Sequence, residues 1–307
     1  MSTKDIQRIV VVGAGLAGAS AAEELRKLGY DAALTVIGAE QHPPYERPPL
    51  SKGVLTGAAT PGSALVHPAE WYTEQGIDLL TGTTVARLGL ERRQVALADR
   101  VLPFDQLLIT TGARPRRFDL ADAASAAGAN VVYLRTLGDA ELLRDQLGKR
   151  LLIVGGGWIG LEVAAAARTA GGPVTVVEAA ELPLVGVLGP EIATVFADLH
   201  RSHDVNLKTG TTVAAITHEG GRTKVSLSDG TQTEVDLIVV GIGAEPNTDL
   251  AQVAGLEIDN GILVDAQLRT STPGVYAAGD VANHDHPDLG RIRVEHWEGP
   301  DPGSWTR

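Results

Sequence analysis

Short, unbroken apolar runs alternate along the chain with glycine clusters. Residues 9–12 (Ile-Val-Val-Val) run into Gly13-Ala14-Gly15-Leu16-Ala17-Gly18, and residues 19–28 that follow are rich in alanine and leucine. The succession returns at residues 151–154 (Leu-Leu-Ile-Val), then Gly155-Gly156-Gly157-Trp158-Ile159-Gly160, then a small-residue stretch over 161–170. An apolar run without polar alternation is how a parallel strand buried on both faces reads, and alanine with leucine favours helix. The pattern predicts strand, glycine turn and helix, written twice.

Further blocks repeat in the same order. Thr81-Gly82-Thr83-Thr84-Val85-Ala86 returns as Thr209-Gly210-Thr211-Thr212-Val213-Ala214. Residues 105–115, from Asp105 through Gly112 to Pro115, match 236–246, from Asp236 through Gly243 to Pro246, without a gap. Three matched blocks in one order imply two nucleotide-binding domains of common design. The expected fold is α/β, two Rossmann-like three-layer domains. One is discontinuous over 1–115 and 241–307, and the other, 116–240, is inserted into it. The first copy carries extra chain around 42–68, rich in proline and glycine, which reads as part of a site.

Length agrees, since 307 residues suffice for two ordinary cores. No apolar run is long enough to span a bilayer, and residues 1–8 are polar, so neither a membrane segment nor a signal peptide is expected, and the cytoplasm is the expected compartment. The net charge of −12, with no long Lys/Arg run, argues against a nucleic-acid partner. Cysteine is absent, which removes disulfides, thiolate metal sites and cysteine redox relays; no metal site is expected. Any electrons this protein handles must sit on a bound cofactor.

A glycine turn alone can be a plain bend. Here each lies between a strand and a helix, so its backbone can approach a pyrophosphate held at the helix N-terminus. An acidic residue about 20 positions on should meet the ribose. In the second copy Glu178 ends the strand 174–177, and Ala179, Ala180 and Glu181 follow with no arginine, which favours NADH over NADPH. In the first copy the acid is Glu40, slightly late after residues 34–39. Near the end, Gly279-Asp280 closes a short strand, where Asp280 could meet a ribityl hydroxyl or simply end a turn.

Together, Gly13 to Gly18, Arg47-Pro48-Pro49-Leu50-Ser51-Lys52, Thr111-Gly112-Ala113-Arg114-Pro115, Leu134-Arg135-Thr136, Gly155 to Glu162, Gly279-Asp280 and Glu295-His296-Trp297 resemble the FAD-dependent NADH:ferredoxin reductases. These are the putidaredoxin-reductase and rhodocoxin-reductase type, which includes the reductase components of dioxygenases. The resemblance covers about residues 5–298. It implies FAD contacts at Gly13, Gly15, Ala17, Gly18, Ala39, Glu40, Arg47, Lys52, Val85, Thr111, Gly112, Arg135, Asp280 and Trp297. It implies NAD contacts at Gly155, Gly157, Ile159, Gly160, Glu162, Glu178 and Gly243. In the catalytic group, Lys52 would place positive charge at the flavin N5/O4 edge, Glu162 would orient Lys52, and Trp158 would cover the flavin face and yield to nicotinamide. The implied electron acceptor is a [2Fe–2S] ferredoxin serving a P450 or a dioxygenase.

The family's chain is expected to continue after Trp297 into a C-terminal domain, which the present sequence lacks; residues 298–307 are rich in proline and glycine. On that reading FAD is held more weakly and the uncovered surface self-associates. The alternatives are a nucleotide-binding remnant with little turnover, or an NADH:acceptor diaphorase.

Overall fold

The computed structural model describes residues 6–286 and 290–293. The described chain forms two compact units. One comprises residues up to Glu46, Leu65–Arg114 and those from Glu245 onward; the other comprises Arg47–Ala64 and Pro115–Ala244. The segment Arg47–Ala64 thus makes its contacts within the second unit.

The first unit is built on a five-stranded sheet, in the order Val275–Ala277, Gln106–Ile109, Arg8–Val12, Ala33–Ile37, Ile77–Leu80. Every pairing in it is parallel. Alternation along the central strand divides the core in two. Val10 and Val12 join Val85, Leu88, Val95 and Phe104, while Ile9 and Val11 join Ala22, Val36 and Tyr72 on the opposite face. Burial on both faces explains why residues 9–12 contain no polar position. The Leu16–Lys27 helix covers the second face, and the antiparallel strands Arg87–Gly89, Gln94–Ala96 and Val101–Pro103 contribute to the first.

The second unit repeats this plan. Its strand order is Asn206–Lys208, Val174–Val177, Leu151–Val154, Leu237–Val240, Val131–Val132, again all parallel. The antiparallel strands Val213–Glu219, Arg222–Leu227 and Gln232–Val235 supply Val213, Val225, Leu227 and Val235 to a core shared with Leu152 and Val154. Register repeats as well. Val12 is level with Ile37 and Ile109, and Val154 is level with Val177 and Val240. In each unit, three strand ends therefore open at one height beside a glycine turn.

The matched Asp105 and Asp236 hold the other end of these strands. Asp105 accepts from the backbone N–H of Gln7 and Arg8 at 3.0 and 2.9 Å and from the Arg8 guanidinium at 3.2 Å. Asp236 accepts from Arg150 through its backbone N–H at 3.0 Å and its guanidinium at 3.0 and 2.7 Å. Among the described residues no helix is long and apolar enough to cross a membrane.

Candidate nucleotide-binding sites

Each glycine turn is shaped by what a side chain would strike. At Gly13 (φ +119°) a Cβ would lie 2.1 Å from the Thr110 carbonyl oxygen; at Gly155 (φ +106°) it would lie 2.3 Å from that of Gly241. The last glycine of each turn is packed as tightly: a Cβ on Gly18 would come within 2.2 Å of the Gly13 carbonyl oxygen, and on Gly160 within 2.1 Å of that of Gly155. The turn, the neighbouring strand end and the first helical turn can nest this closely only without side chains.

The middle glycines differ. Nothing lies within 4 Å of a Cβ placed on Gly15, and on Gly157 only the Gly241 carbonyl oxygen does, at 3.9 Å. Gly15 and Gly157 are also the N-cap residues of the Leu16–Lys27 and Trp158–Thr169 helices; neither supplies a side-chain cap, and neither first turn contains an acid. Each turn leaves a cradle beside helix N–H groups that lack intrahelical partners, which fits a pyrophosphate.

The units diverge at the ribose position. Glu178 follows directly on Val177, and its carboxylate accepts from the backbone N–H of Gly156 at 2.6 Å and of Ala180 at 2.8 Å. It thereby faces the second glycine turn. The repeated threonine block identifies its counterpart: the Thr211 N–H donates to the Glu178 carbonyl at 3.0 Å, and the Thr83 N–H donates to that of Gly38 at 2.8 Å. Gly38, not Glu40, therefore occupies the strand-end position of the first unit. A Cβ on Gly38 would lie 2.6 Å from the Ala14 Cβ, whereas the second unit has Gly156 opposite Glu178. Small and large have exchanged sides. Glu40 stands two residues later, where its carboxylate accepts from the Tyr45 hydroxyl.

Other candidates gather near the first turn. A Cβ on Gly279 would lie 2.9 Å from the Ala17 Cβ, so the Gly279–Val281 turn, with Asp280, sits against the start of the Leu16–Lys27 helix. Thr111 and Gly112 are held by Asn247, which the sequence reading did not single out. The Asn247 side chain donates to the Thr111 carbonyl at 2.8 Å, its N–H donates to the Gly112 carbonyl at 2.9 Å, and the Thr111 hydroxyl donates to the Asn247 carbonyl at 2.8 Å. Val85 is buried and Ala39 exposed. Trp297 lies outside the described residues.

In the second unit, Lys52 Nζ lies 3.0 Å from both carboxylate oxygens of Glu162, and the buried Ser51 hydroxyl donates to the same carboxylate. Ser51 was also missed, though it stands beside Lys52 in the proline-rich run. The Arg47 guanidinium donates to the Arg135 carbonyl, and the Arg135 N–H donates to Asp139 at 3.1 Å, next to the Thr136 capping box. Gly243 (φ +106°) accepts at its carbonyl from the Arg116 N–H at 2.9 Å. Trp158 and Ile159 are partly exposed on the first turn of their helix, and the Trp158 ring meets Phe196 edge-to-face at 5.8 Å. Among the described residues, no cluster of three or more His, Asp or Glu side chains could hold a metal ion.

Two parallel sheets, each with a glycine-cradled helix start, define an α/β protein with two dinucleotide-type cradles. Residues 7–299 match the pyridine nucleotide-disulphide oxidoreductase family, to which the chain belongs. It is 41% identical over 280 residues to putidaredoxin reductase of Pseudomonas putida, covering 89% of this chain and 66% of that one. It is 43% identical over 296 residues to the ferredoxin–NAD(+) reductase component of an anthranilate 1,2-dioxygenase system from Burkholderia cepacia, covering 94% of this chain and 71% of that one. The chain thus spans about two thirds of these relatives' lengths. Among solved structures, the reductase of a covalent putidaredoxin reductase–putidaredoxin complex superposes with a TM-score of 0.91 at 39% identity, over 94% of this chain and 71% of that one. None of the 307 residues is cysteine, so none of them can carry the disulphide chemistry in the family's description.

Proposed function

We propose that the chain is an NADH:ferredoxin reductase, with FAD in the first unit and NADH in the second. The observation that carries the reading is the doubled glycine cradle, with a strand-end carboxylate in one copy only. When bound, FAD would supply two-electron acceptance and one-electron release, the chemistry that links a two-electron donor to a one-electron acceptor.

The protein's residues do the positioning. Gly15 and Gly157 admit the two pyrophosphates, and Asp280 accepts from the ribityl chain. Glu178 accepts from the NADH ribose and repels a 2′-phosphate. Lys52 holds positive charge for the reduced flavin, and Glu162 and Ser51 fix its ammonium. Trp158 would cover the flavin face and yield to nicotinamide. A [2Fe–2S] ferredoxin is the proposed acceptor, and the cytoplasm, where NADH is supplied, the proposed compartment.

Anaerobic titration tests this directly. One equivalent of NADH should bleach the bound flavin, and NADH should then support reduction of a [2Fe–2S] ferredoxin. A flavin that stays oxidised in excess NADH would defeat the proposal.

A further inference from the structure

The helix Val185–Ser202 lies lightly on the second unit. Its buried residues are Ala193, Ala197 and His200; a glycine–proline break interrupts it at Gly189–Pro190; and Ile192, Val195 and Leu199 are exposed. Two alanines give little apolar area with which to hold an 18-residue helix. Besides the Arg168 guanidinium, which donates to the carbonyl of the C-cap residue His203 at 3.0 Å, the turn from Phe196 to His200 carries the specific contacts to the Trp158–Thr169 helix. Phe196 presents its ring edge-to-face to Trp158, and His200, only 8% exposed, reaches past it to the neighbouring helix.

The two ring nitrogens of His200 do different things. Nδ1 lies 2.8 Å from the Phe196 carbonyl of its own helix, and Nε2 lies 3.2 Å from the Leu161 carbonyl in the Trp158–Thr169 helix. Both ring nitrogens face carbonyl oxygens and a neutral imidazole carries a single N–H; with that proton on Nε2, the Leu161 carbonyl, which has two lone pairs, accepts it while still serving its own helix. Leu161 stands in the chain between Trp158 and Glu162, the carboxylate that holds Lys52.

We propose that His200 is a positioning residue: its Nε2 contact to Leu161 sets the first turn of the Trp158–Thr169 helix, and with it the Trp158 ring and the Glu162–Lys52 pair. This rests on the hydride-transfer reading given above. His200 is not among the residues assigned to either nucleotide. Its loss should therefore misplace groups that act on the reacting atoms while leaving the glycine cradle intact, lowering the rate of flavin reduction more than the affinity for NADH.

Two amide replacements separate the nitrogens. Glutamine places its NH₂ near the His200 Nε2 position and can still donate to Leu161; asparagine places it near Nδ1 and can serve only Phe196. In single-turnover anaerobic mixing, H200N should reduce its flavin about five- to tenfold more slowly with the NADH dissociation constant within about twofold, while H200Q stays within about twofold of the parent in both. A second readout needs no cofactor. The Trp158 contribution to fluorescence, taken as the difference from the same chain carrying W158F, should become more open to acrylamide quenching in H200N and not in H200Q. If H200N does not fold, H200S, which likewise leaves the Leu161 carbonyl without this donor, should show the raised quenching. Equal behaviour of H200N and H200Q, or unchanged quenching in H200S, would overturn the proposal. If the parent flavin is not bleached by NADH, the reductase reading fails, and the quenching comparison still decides the role of His200.

Discussion

Glycines only two residues apart answer to different pressures. Gly13 is required by the fold, because its φ of +119° and the Thr110 carbonyl oxygen 2.1 Å from a prospective Cβ leave no room for a side chain. Gly15 has open space there, so the fold does not itself require glycine at that position, and the proposed constraint is the pyrophosphate. Gly13→Ala should therefore cost upwards of ~2 kcal/mol of stability, read as a lower urea midpoint. Gly15→Ala should melt within about 1 kcal/mol of the parent yet bind FAD at least about tenfold more weakly. If both variants lose stability equally, the cradle at Gly15 is not a ligand site. At the ribose position, Glu178→Ala should lower kcat/KM for NADH by about tenfold with little loss for NADPH, because it removes an acceptor and a repulsion together. Steady-state kinetics with both nucleotides and a dye acceptor would measure the ratio, and an unchanged ratio would show that Glu178 does not read the ribose.

At the scale of elements, the parallel strands are tied together by the repeated aspartates. The Arg150 side chain, with its backbone N–H, holds the Asp236 carboxyl down to about 2, and the Arg8 side chain lowers that of Asp105 in the same way. A carboxyl whose folded pKa is depressed adds stability that is fully present above its ordinary value near 3.8 and is lost as pH falls through about 2. Asp236→Asn should thus destabilise the second unit at neutral pH by ~0.5–1 kcal/mol, a figure discounted because Asp236 and Arg150 are both partly exposed. The gap between parent and variant should close between about pH 4 and pH 2 in acid-unfolding curves followed by circular dichroism. A gap that persists unchanged at pH 2 would mean the carboxyl is not the stabilising group.

For the whole molecule, the two units have separate cores and separate cradles, so each ligand should protect chiefly the turn amides of its own cradle. A ligand at 100 times its dissociation constant adds about 2.7 kcal/mol to the state that binds it. In hydrogen exchange, NAD⁺ should slow the amides around 155–161, 178–180 and 209–211, and FAD those around 13–19, 110–112 and 279–281. The reverse assignment would exchange the roles of the units. Protection of both sets by NAD⁺ alone would indicate that the first cradle also takes a nicotinamide nucleotide.

Repetition and periodicity made much of this protein legible before any coordinates. The unbroken apolar runs 9–12 and 151–154 require strands buried on both faces, and the glycine clusters that follow admit little besides a strand-to-helix turn, so fold class, both turns and the place of Glu178 at a strand end could be read directly. Those features are local, because each rests on neighbours in sequence. The tertiary structure decided what depends on distant chain. Only packing shows that Gly38 holds the position equivalent to Glu178, because the space a side chain would need belongs to Ala14, 24 residues earlier. Spacing counted forward from the glycines pointed to Glu40 instead. Likewise Asn247 meets Thr111 across 136 positions, Ser51 meets Glu162 across 111, and His200 reaches Leu161 across 39. A lone Asn, Ser or His in the sequence carries no periodic signal, and its role arises only when folding brings it against a partner whose hydrogen-bonding capacity it completes.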